Sequence, residues 1–477
     1  MQPFKINLPD EVRFAIDALE QHGHDAYVVG GCVRDSIMGR KPHDWDITTN
    51  ATPARIQKVF SGFPQALDGL KHGTVTIILD HKPVEITTYR IDGNYSDGRR
   101  PDTITFTSDL IEDLARRDFT INACAYGREG LIDPFGGEHD IKTRLIRCVG
   151  DPVSRFNEDA LRILRGMRFA SQLSFTVENQ TKEAMMKCTP LLKKISQERI
   201  TDELSKTLMG INVQNVLNEF RDVLLFLIPE LEQLSSLSGN AIDHTDLLSH
   251  SIRAIAIADR DLALRIALLL RGIGKSNSLD HIATSDDKTS LPNISAKSVS
   301  AQSAETSVKA VEKILKRMRF PIRIIKQVTI IIRYVDEYIA PTPAGVKRIL
   351  RYTGIEPFRL LLKAKRALAS SENYPPEPPE SSRFHNKTKL QYDPKHLNML
   401  NSKEIDALES ILDTVIEQNA CIFLSDLAVS GNDLIAVGIP QGKKIGEILN
   451  RLLDLVIEGK VENKKDALLA EARRLMH

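Results

Sequence analysis

Residues 28–50, VVGGCVRDSIMGRKPHDWDITTN, hold two features that could do chemistry together. An apolar run, Tyr27 to Val29, leads into Gly30 and Gly31, whose missing side chains let backbone N–H groups approach phosphate oxygens closely. Arg34 adds positive charge beside them. Further on, Asp44 and Asp46 flank Trp45, and in a strand residues two apart point to the same face. Two carboxylates so placed can share divalent cations, so the stretch reads as a meeting place for a nucleoside triphosphate and two metal ions. Taken separately, each feature also fits a plainer role: a solvated acidic turn for the aspartates, a tight packing turn for the glycines. Their order within one short stretch is the more specific signal.

Downstream, the segments RRDFTINA, DPFGG, EDALRILRGMRF and ERITDELSK follow GGCVRD and DWDITT in that order. The two aspartates and the glycine turn resemble the metal site of the nucleotidyltransferase superfamily headed by DNA polymerase beta. The whole series resembles class II tRNA nucleotidyltransferases, the CCA-adding enzymes, together with their bacterial poly(A) polymerase relatives. The resemblance is dense over residues 20–210 and returns in DLAVSGNDLIAVGIPQGKKIGEILNRLL, which is similar to the tail of the CCA-adding branch.

Nucleotidyl transfer needs an activated 3′-hydroxyl, an in-line α-phosphate and neutralisation of the charge that builds on pyrophosphate. Two metal ions about 4 Å apart do this by clamping the attacking and leaving oxygens. Asp44 and Asp46 are the expected bridging ligands, and oxygen-only ligation completed by substrate phosphates suits Mg²⁺. Glu85, in the strand-like VEITTYR, is the candidate third carboxylate; its plainer reading is a solvent-facing strand residue.

The charges of DLARRDFTINA, residues 113–123, would by themselves suit a solvated helix face. The resemblance implies that this segment holds ribose and triphosphate, with Arg117 on phosphate and Asp118 and Asn122 selecting the 2′-hydroxyl. In EDALRILRGMRF, Asp159 and Arg162 should share one side of a helix, with Arg165 and Arg168 a turn further on. Such a pattern alone is ordinary salt-bridging. The resemblance implies instead that Asp159 and Arg162 read the edge of the incoming base as a protein template. A carboxylate accepts from an exocyclic amino group and a guanidinium donates to a ring nitrogen or carbonyl. Cytosine and adenine carry an amino group where uracil and guanine carry a carbonyl, so Asp159 favours C and A. Glu158 would orient Arg162, while Arg165 and Arg168 would reach toward the triphosphate. ERITDELSK, with Glu198, Arg199 and Glu203, is expected only to brace the helices beneath.

These residues need a scaffold in two parts. Up to about residue 145 the pattern alternates: a helix over Pro9 to His22, strands over Thr74 to Leu79 and Val84 to Tyr89, a helix over Leu110 to Arg117. From about Arg155 it is almost wholly helical. The expected class is α+β, with a polymerase-beta-like catalytic head over residues 1–150 in which a mixed sheet packs with helices. An all-α neck at 151–210, body at 211–372 and tRNA-binding tail at 395–477 follow. Residues 276–306 are rich in Ser, Thr, Asp and Lys and read as a mobile insertion; the Pro-rich 373–394 reads as a linker.

Net charge is only +1 over 477 residues, so nucleic-acid contact must rest on local basic patches such as Lys309 to Lys326 and Gly345 to Leu368. Those stretches also suit ordinary solvated helix faces. No apolar run reaches the roughly 18 residues that span a bilayer and the N-terminus lacks a signal-peptide core, which points to a cytoplasmic protein with no membrane partner. The five cysteines show no metal-binding or disulfide spacing. Many class II relatives carry a His-Asp phosphohydrolase motif after the neck, in a segment like LLHDIGK. Here LLRGIGK puts Arg271 and Gly272 at the pair's positions, so that activity should be absent even though His250 remains.

The expected function is therefore template-independent addition or repair of the CCA end of tRNA from CTP and ATP. An enzyme adding only A, a poly(A) polymerase, or a protein of this fold that binds without turnover are the alternatives. The loop-like segment 91–106, with Asp97, Arg99, Arg100 and Pro101, matches the place where class II enzymes carry a lever that switches the pocket from C to A. Its presence implies addition of the terminal A.

Overall fold

The computed structural model describes residues 5–93, 103–236, 246–274, 296–372 and 400–476, and they form two compact units, 1–227 and 228–477. The architecture is α+β. In the first unit the chain runs α1 (Asp10–Gln21), β1 (Ala26–Val29), α2 (Gly31–Ile37), β2 (Asp46–Thr49), α3 (Pro53–Val59), β3 (Gln65–Ala66), β4 (Thr74–Leu79) and β5 (Lys82–Thr88). It continues with β6 (Arg90–Asp92), β7 (Ile104–Phe106), α4 (Leu110–Ala115), β8 (Ala125–Gly127), β9 (Gly130–Ile132) and α5 (Gly137–Thr143). Four helices follow: α6 (Pro152–Glu158), α7 (Leu161–Leu173), α8 (Asn179–Cys188) and α9 (Gln197–Leu208).

Seven strands make one mixed sheet in the order β3-β4-β5-β2-β1-β8-β9. Alternation sets its buried face. In β4, Val75, Ile77 and Leu79 point inward between partly exposed Thr74, Thr76 and Ile78; in β5, Val84, Ile86 and Thr88 do the same. That face packs with Ile47 against Val12, Ile16 and Leu19 of α1 and Ile56 and Phe60 at α3. β2 and β5 run parallel with Ile47 opposite Ile86 and Asp46 opposite Glu85. Burying the isoleucine pair therefore turns the two carboxylates together to the open side.

β1 ends at Gly30, which sits at φ 81°, ψ −128° and hands the chain straight into α2. Its N–H donates to Cys124 O (3.2 Å) and an added Cβ would lie 3.3 Å from Arg117 Nη1. β6 and β7 pair as an antiparallel hairpin, Arg90 opposite Phe106 and Asp92 opposite Ile104, so both ends of the segment expected to be loop are strand. Residues 94–102, which include Asp97, Arg99, Arg100 and Pro101, lie outside the described residues.

One expected helix is broken. EDALRILRGMRF, residues 158–169, is expected on one helix, yet α6 stops at Glu158 and α7 starts at Leu161. Asp159 is extended (φ −138°, ψ 103°), and its carboxylate accepts from the Leu161 N–H at 3.0 Å. A short acidic side chain competes with the backbone for that donor and restarts the helix. Asp159 and Arg162 therefore do not share a helix face. Below the break, α7 buries Ile163, Leu164, Met167 and Phe169 in a second core with Phe119 and Phe156.

The second unit is helical among its described residues, from Leu247–Ile257 to Lys465–Arg474. The helix Ala296–Arg317 begins inside the stretch expected to be a mobile insertion; residues 275–295 lie outside the described ones, as do 373–399. Ala and Glu among its residues suit a helix, and Val308, Val311, Ile314 and Leu315 give it a buried stripe. Arg271 donates from Nε and Nη2 to Asp336 Oδ1 (2.9 and 2.7 Å). His250 shares a 3.0 Å hydrogen bond with Ser371 Oγ, and burial, then Arg271 and Arg253, push its pKa down to about 3. Among the described residues no group of three or more His, Cys, Asp or Glu is gathered to hold a metal. In the two basic stretches Arg317 pairs with Glu230, Arg351 with Asp454, Arg359 with Asp413 and Arg366 with Asp406, so these arginines tie neighbouring elements together. No helix among the described residues is long and apolar enough to cross a membrane.

Replacing Gly30 with alanine should lower the stability of the first unit by about 1–3 kcal/mol, because a Cβ is strained at this φ and crowds Arg117. Chemical denaturation of the full chain checks this; an unchanged midpoint would mean that the turn tolerates a side chain.

Candidate nucleotide site

Above the open face of β2, a cleft of about 470 Å³ is lined by Gly30, Gly31 and Arg34 at the β1–α2 turn, Asp46 of β2, Arg116, Arg117, Asp118 and Asn122 after α4, and Asp159, Leu161, Arg162, Arg165, Arg168 and Phe169 at α7. Arg199 of α9 closes the list. Of the expected site residues, Asp44, Glu85 and Glu158 stand beside this lining and not in it. Asp44 precedes β2, Glu85 neighbours Asp46 across the strand pair, and Glu158 holds Arg162 from α6.

The acidic edge is electrostatically crowded. Desolvation raises the Asp46 pKa, the Glu85 carboxylate raises it further, Arg117 opposes and Asp44 adds to the rise. Like charges held together in this way are relieved by a cation. Since no three such groups form a closed cage among the described residues, a metal here would take its remaining ligands from phosphate oxygens or water, which is the ligation Mg²⁺ accepts. The residues present fit that ion.

Seven arginines face three aspartates across the cleft, and each arginine is tied to an acid. Asp113, fully buried, accepts from Arg116 Nε and Nη2 (2.9 and 2.8 Å) and from Arg117 Nη2 (3.3 Å), as well as from Thr48 Oγ1 and the Arg90 N–H. Burial pushes its carboxyl up, but Arg117 and Arg116 outweigh that and hold it below the ordinary range. Asp118 is treated the same way: burial raises it, while Arg165 (2.6 Å) and the Asn122 amide (3.0 Å) prevail and keep it ionised. Asn122 Oδ1 in turn accepts from Arg34 Nη1 at 2.7 Å. Arg168 pairs with Glu203 (3.0 Å) and Arg34 with Asp35 (2.8 Å).

At the α6–α7 break, Arg162 donates to Glu158, as expected, and to the carbonyls of Arg155 (3.1 Å) and Arg116 (2.9 Å). Asp159 Oδ2 accepts from Arg199 Nη2 at 3.0 Å. Arg199 Nη1 and the Nε atoms of Arg117 and Arg168 are buried without a hydrogen-bond partner. Buried donors left open around an arginine-rich cleft suit an anionic, hydrogen-bonding ligand.

Sequence reasoning missed Arg116, Phe169, Arg199 and the buried Asp113 and Glu203. Arg199 and Glu203 lie in the segment expected only to brace helices, yet one meets Asp159 and the other Arg168. No local pattern marks them: they share α9 with the buried Ile200 and Leu204, and only the fold brings them to α7. Arg165 and Arg168, expected to aim at triphosphate, are each partly engaged by an acid.

Residues 26–147 match the family described as the poly(A) polymerase head domain, 174–234 the "Probable RNA and SrmB- binding site of polymerase A", and 386–472 a tRNA nucleotidyltransferase domain 2. The chain is 46% identical over 218 residues to a CCA-adding enzyme of Enterococcus faecalis, covering 45% of this chain and 53% of that one. It is 49% identical over 197 residues to a CCA-adding enzyme of Geobacillus thermodenitrificans, covering 41% and 48%. The matched part thus spans about half the length of these curated relatives. The crystal structure of the Bacillus stearothermophilus CCA-adding enzyme in complex with CTP is similar over 98% of this chain and 97% of that chain, with TM-score 0.67 and 28% identity. A Thermotoga maritima CCA-adding enzyme complexed with tRNA shares the fold at TM-score 0.59 and 19% identity, over 98% and 95%.

The paired acids make a prediction. Asp118→Asn should destabilise the first unit by about 2 kcal/mol, less than the roughly 3–5 kcal/mol of a fully buried pair because Arg165 keeps 33% of its side chain in solvent. A carboxyl depressed in the folded state contributes stability above its unfolded value of about 3.9, lost as pH falls through the lower folded value. The deficit should therefore be full at pH 7 and shrink below about pH 4; a deficit that grows with acidity would contradict the pairing.

Proposed function

Because this chain belongs to the family of poly(A) polymerase heads and tRNA nucleotidyltransferases, we propose that it adds or repairs the 3′-terminal CCA of tRNA from CTP and ATP without a nucleic-acid template. The observation that carries this is one cleft that joins Asp46, crowded by Glu85 and Asp44 beside it, a wall of anchored arginines, and Asp159 and Arg162 on either side of a helix start. Each part answers one requirement of the reaction.

Asp44 and Asp46 would hold Mg²⁺, with Glu85 beside them. When bound, the ions clamp the attacking and leaving oxygens of the transfer. Arg117, fixed by Asp113, and the Gly30–Gly31 turn line the side where phosphate oxygens would lie, together with Arg34, Arg165 and Arg168. Asp118 and Asn122, which line the cleft and are bonded to each other, would select the ribose 2′-hydroxyl and hold this wall in register. Asp159 presents an acceptor and Arg162 a donor to the base edge, which favours cytosine and adenine. The tail match at 386–472 supports the tRNA reading over poly(A) synthesis. A cytoplasmic location goes with that substrate.

The direct test offers the purified chain a tRNA lacking its last three nucleotides, with CTP, ATP or both. Three additions with both nucleotides are expected. Addition of A alone to a tRNA already ending in CC, or long A tracts, would replace the proposal with an A-adding or poly(A) enzyme. Asp44→Asn and Asp46→Asn should each abolish incorporation of CTP and ATP while tRNA binding persists; turnover near the parent rate by either variant would overturn the metal assignment.

A further inference from the structure

Three of the cleft arginines converge on a single aromatic ring. The guanidinium carbons of Arg34, Arg165 and Arg168 lie 5.3, 5.4 and 4.4 Å from the centroid of Phe169. Arg34 comes from α2, the other two from α7, so the ring joins the glycine turn to the helix that follows the base-reading break. Phe169 is itself fixed from behind: its ring meets Phe119 edge to face, with centroids 5.9 Å apart and planes at 85°, and Phe119 is fully buried. Cations gathered round one ring at these distances lie close enough to repel one another. The negative face of an aromatic ring offsets that repulsion without consuming an N–H donor. An acid in the same position would offset it too, but would occupy the donors that an anion needs.

We propose that Phe169 is the positioning residue of the polyphosphate subsite: its ring gathers Arg34, Arg165 and Arg168 into one cluster whose remaining donors take the β- and γ-phosphates of the incoming nucleotide. With 6% of its surface exposed, the ring cannot stack on a base and acts only through the arginines. The acids Asp35, Asp118 and Glu203 each hold one of these guanidiniums, and the ring they share sets where the three meet. This assignment rests on the reading of the cleft as a nucleotide site, but not on which polymer the nucleotide is added to.

The test uses the full chain with Phe169→Leu and Phe169→Tyr, and the probes inorganic tripolyphosphate, CTP and CMP. Phe169→Leu keeps an apolar side chain and removes the ring; Phe169→Tyr keeps the ring. Phe169→Leu should weaken tripolyphosphate and CTP binding about tenfold, the loss of cation–π contacts at a partly desolvated site, and leave CMP binding within about twofold. Phe169→Tyr should bind all three probes as the parent does. Equal loss for CMP and CTP would mean that the ring only packs the core, and would overturn the proposal. So would equal weakening by leucine and tyrosine, or a parent chain that does not bind tripolyphosphate. Failure to extend tRNA with these binding results intact would overturn the function proposed above while leaving the subsite standing.

Discussion

Seven guanidinium groups share one cleft only because each is tied to a negative partner. At an effective dielectric near 20, two like charges some 7 Å apart repel by about 2 kcal/mol, so an untied cluster would scatter into solvent. Here Asp35, Asp113, Glu158, Asp118, Glu203 and Asp159 hold Arg34, the pair Arg116 and Arg117, Arg162, Arg165, Arg168 and Arg199 in turn. The buried acids fix position and the exposed ends of the guanidiniums keep donors for a ligand. Preorganised donors of this kind stabilise developing charge without having to reorient at the moment of reaction.

The same constraint explains the scaffold. The Asp113 carboxylate has to be buried to hold two arginines at once, and α4 carries it to Thr48 of β2 and the start of β6, which bonds it to the sheet that bears Asp46. The acidic edge and the arginine wall are thus two sides of one core. Because the helix stops at Glu158, one Asp159 carboxylate oxygen accepts from the Leu161 N–H at the start of α7 and the other from Arg199.

Much of this was legible in the chain. Local alternation marked β4 to the residue and β5 within two, and the glycine turn, the aspartate pair and the basic segments announced the cleft that most of them line. What escaped depends on distance in sequence. Arg199 lies forty residues after Asp159, Glu203 thirty-five after Arg168, and no periodicity reveals that α9 turns its polar residues toward α7. Phe169 went unremarked because it is a core residue, and only its three arginine neighbours give it a second task. The break at Asp159 was hidden for a different reason, since an aspartate before a helical pattern fits either a first turn or a cap, and the Leu161 N–H decides between them. In the second unit, Arg271 and Gly272 stand where a metal-binding pair was not expected, and the structure shows Arg271 bonded to Asp336.

The central claim is that protein side chains, and Asp159 above all, read the base. Equilibrium binding of CTP and UTP to the full chain with Mg²⁺ and no tRNA tests it most directly, because no nucleic acid is present to select. The account predicts that the parent prefers CTP by about tenfold or more, one to two hydrogen bonds' worth of discrimination, and that Asp159→Ala binds the two alike with an affinity near the parent's for UTP. An Asp159→Ala chain that still prefers CTP as strongly as the parent would contradict it.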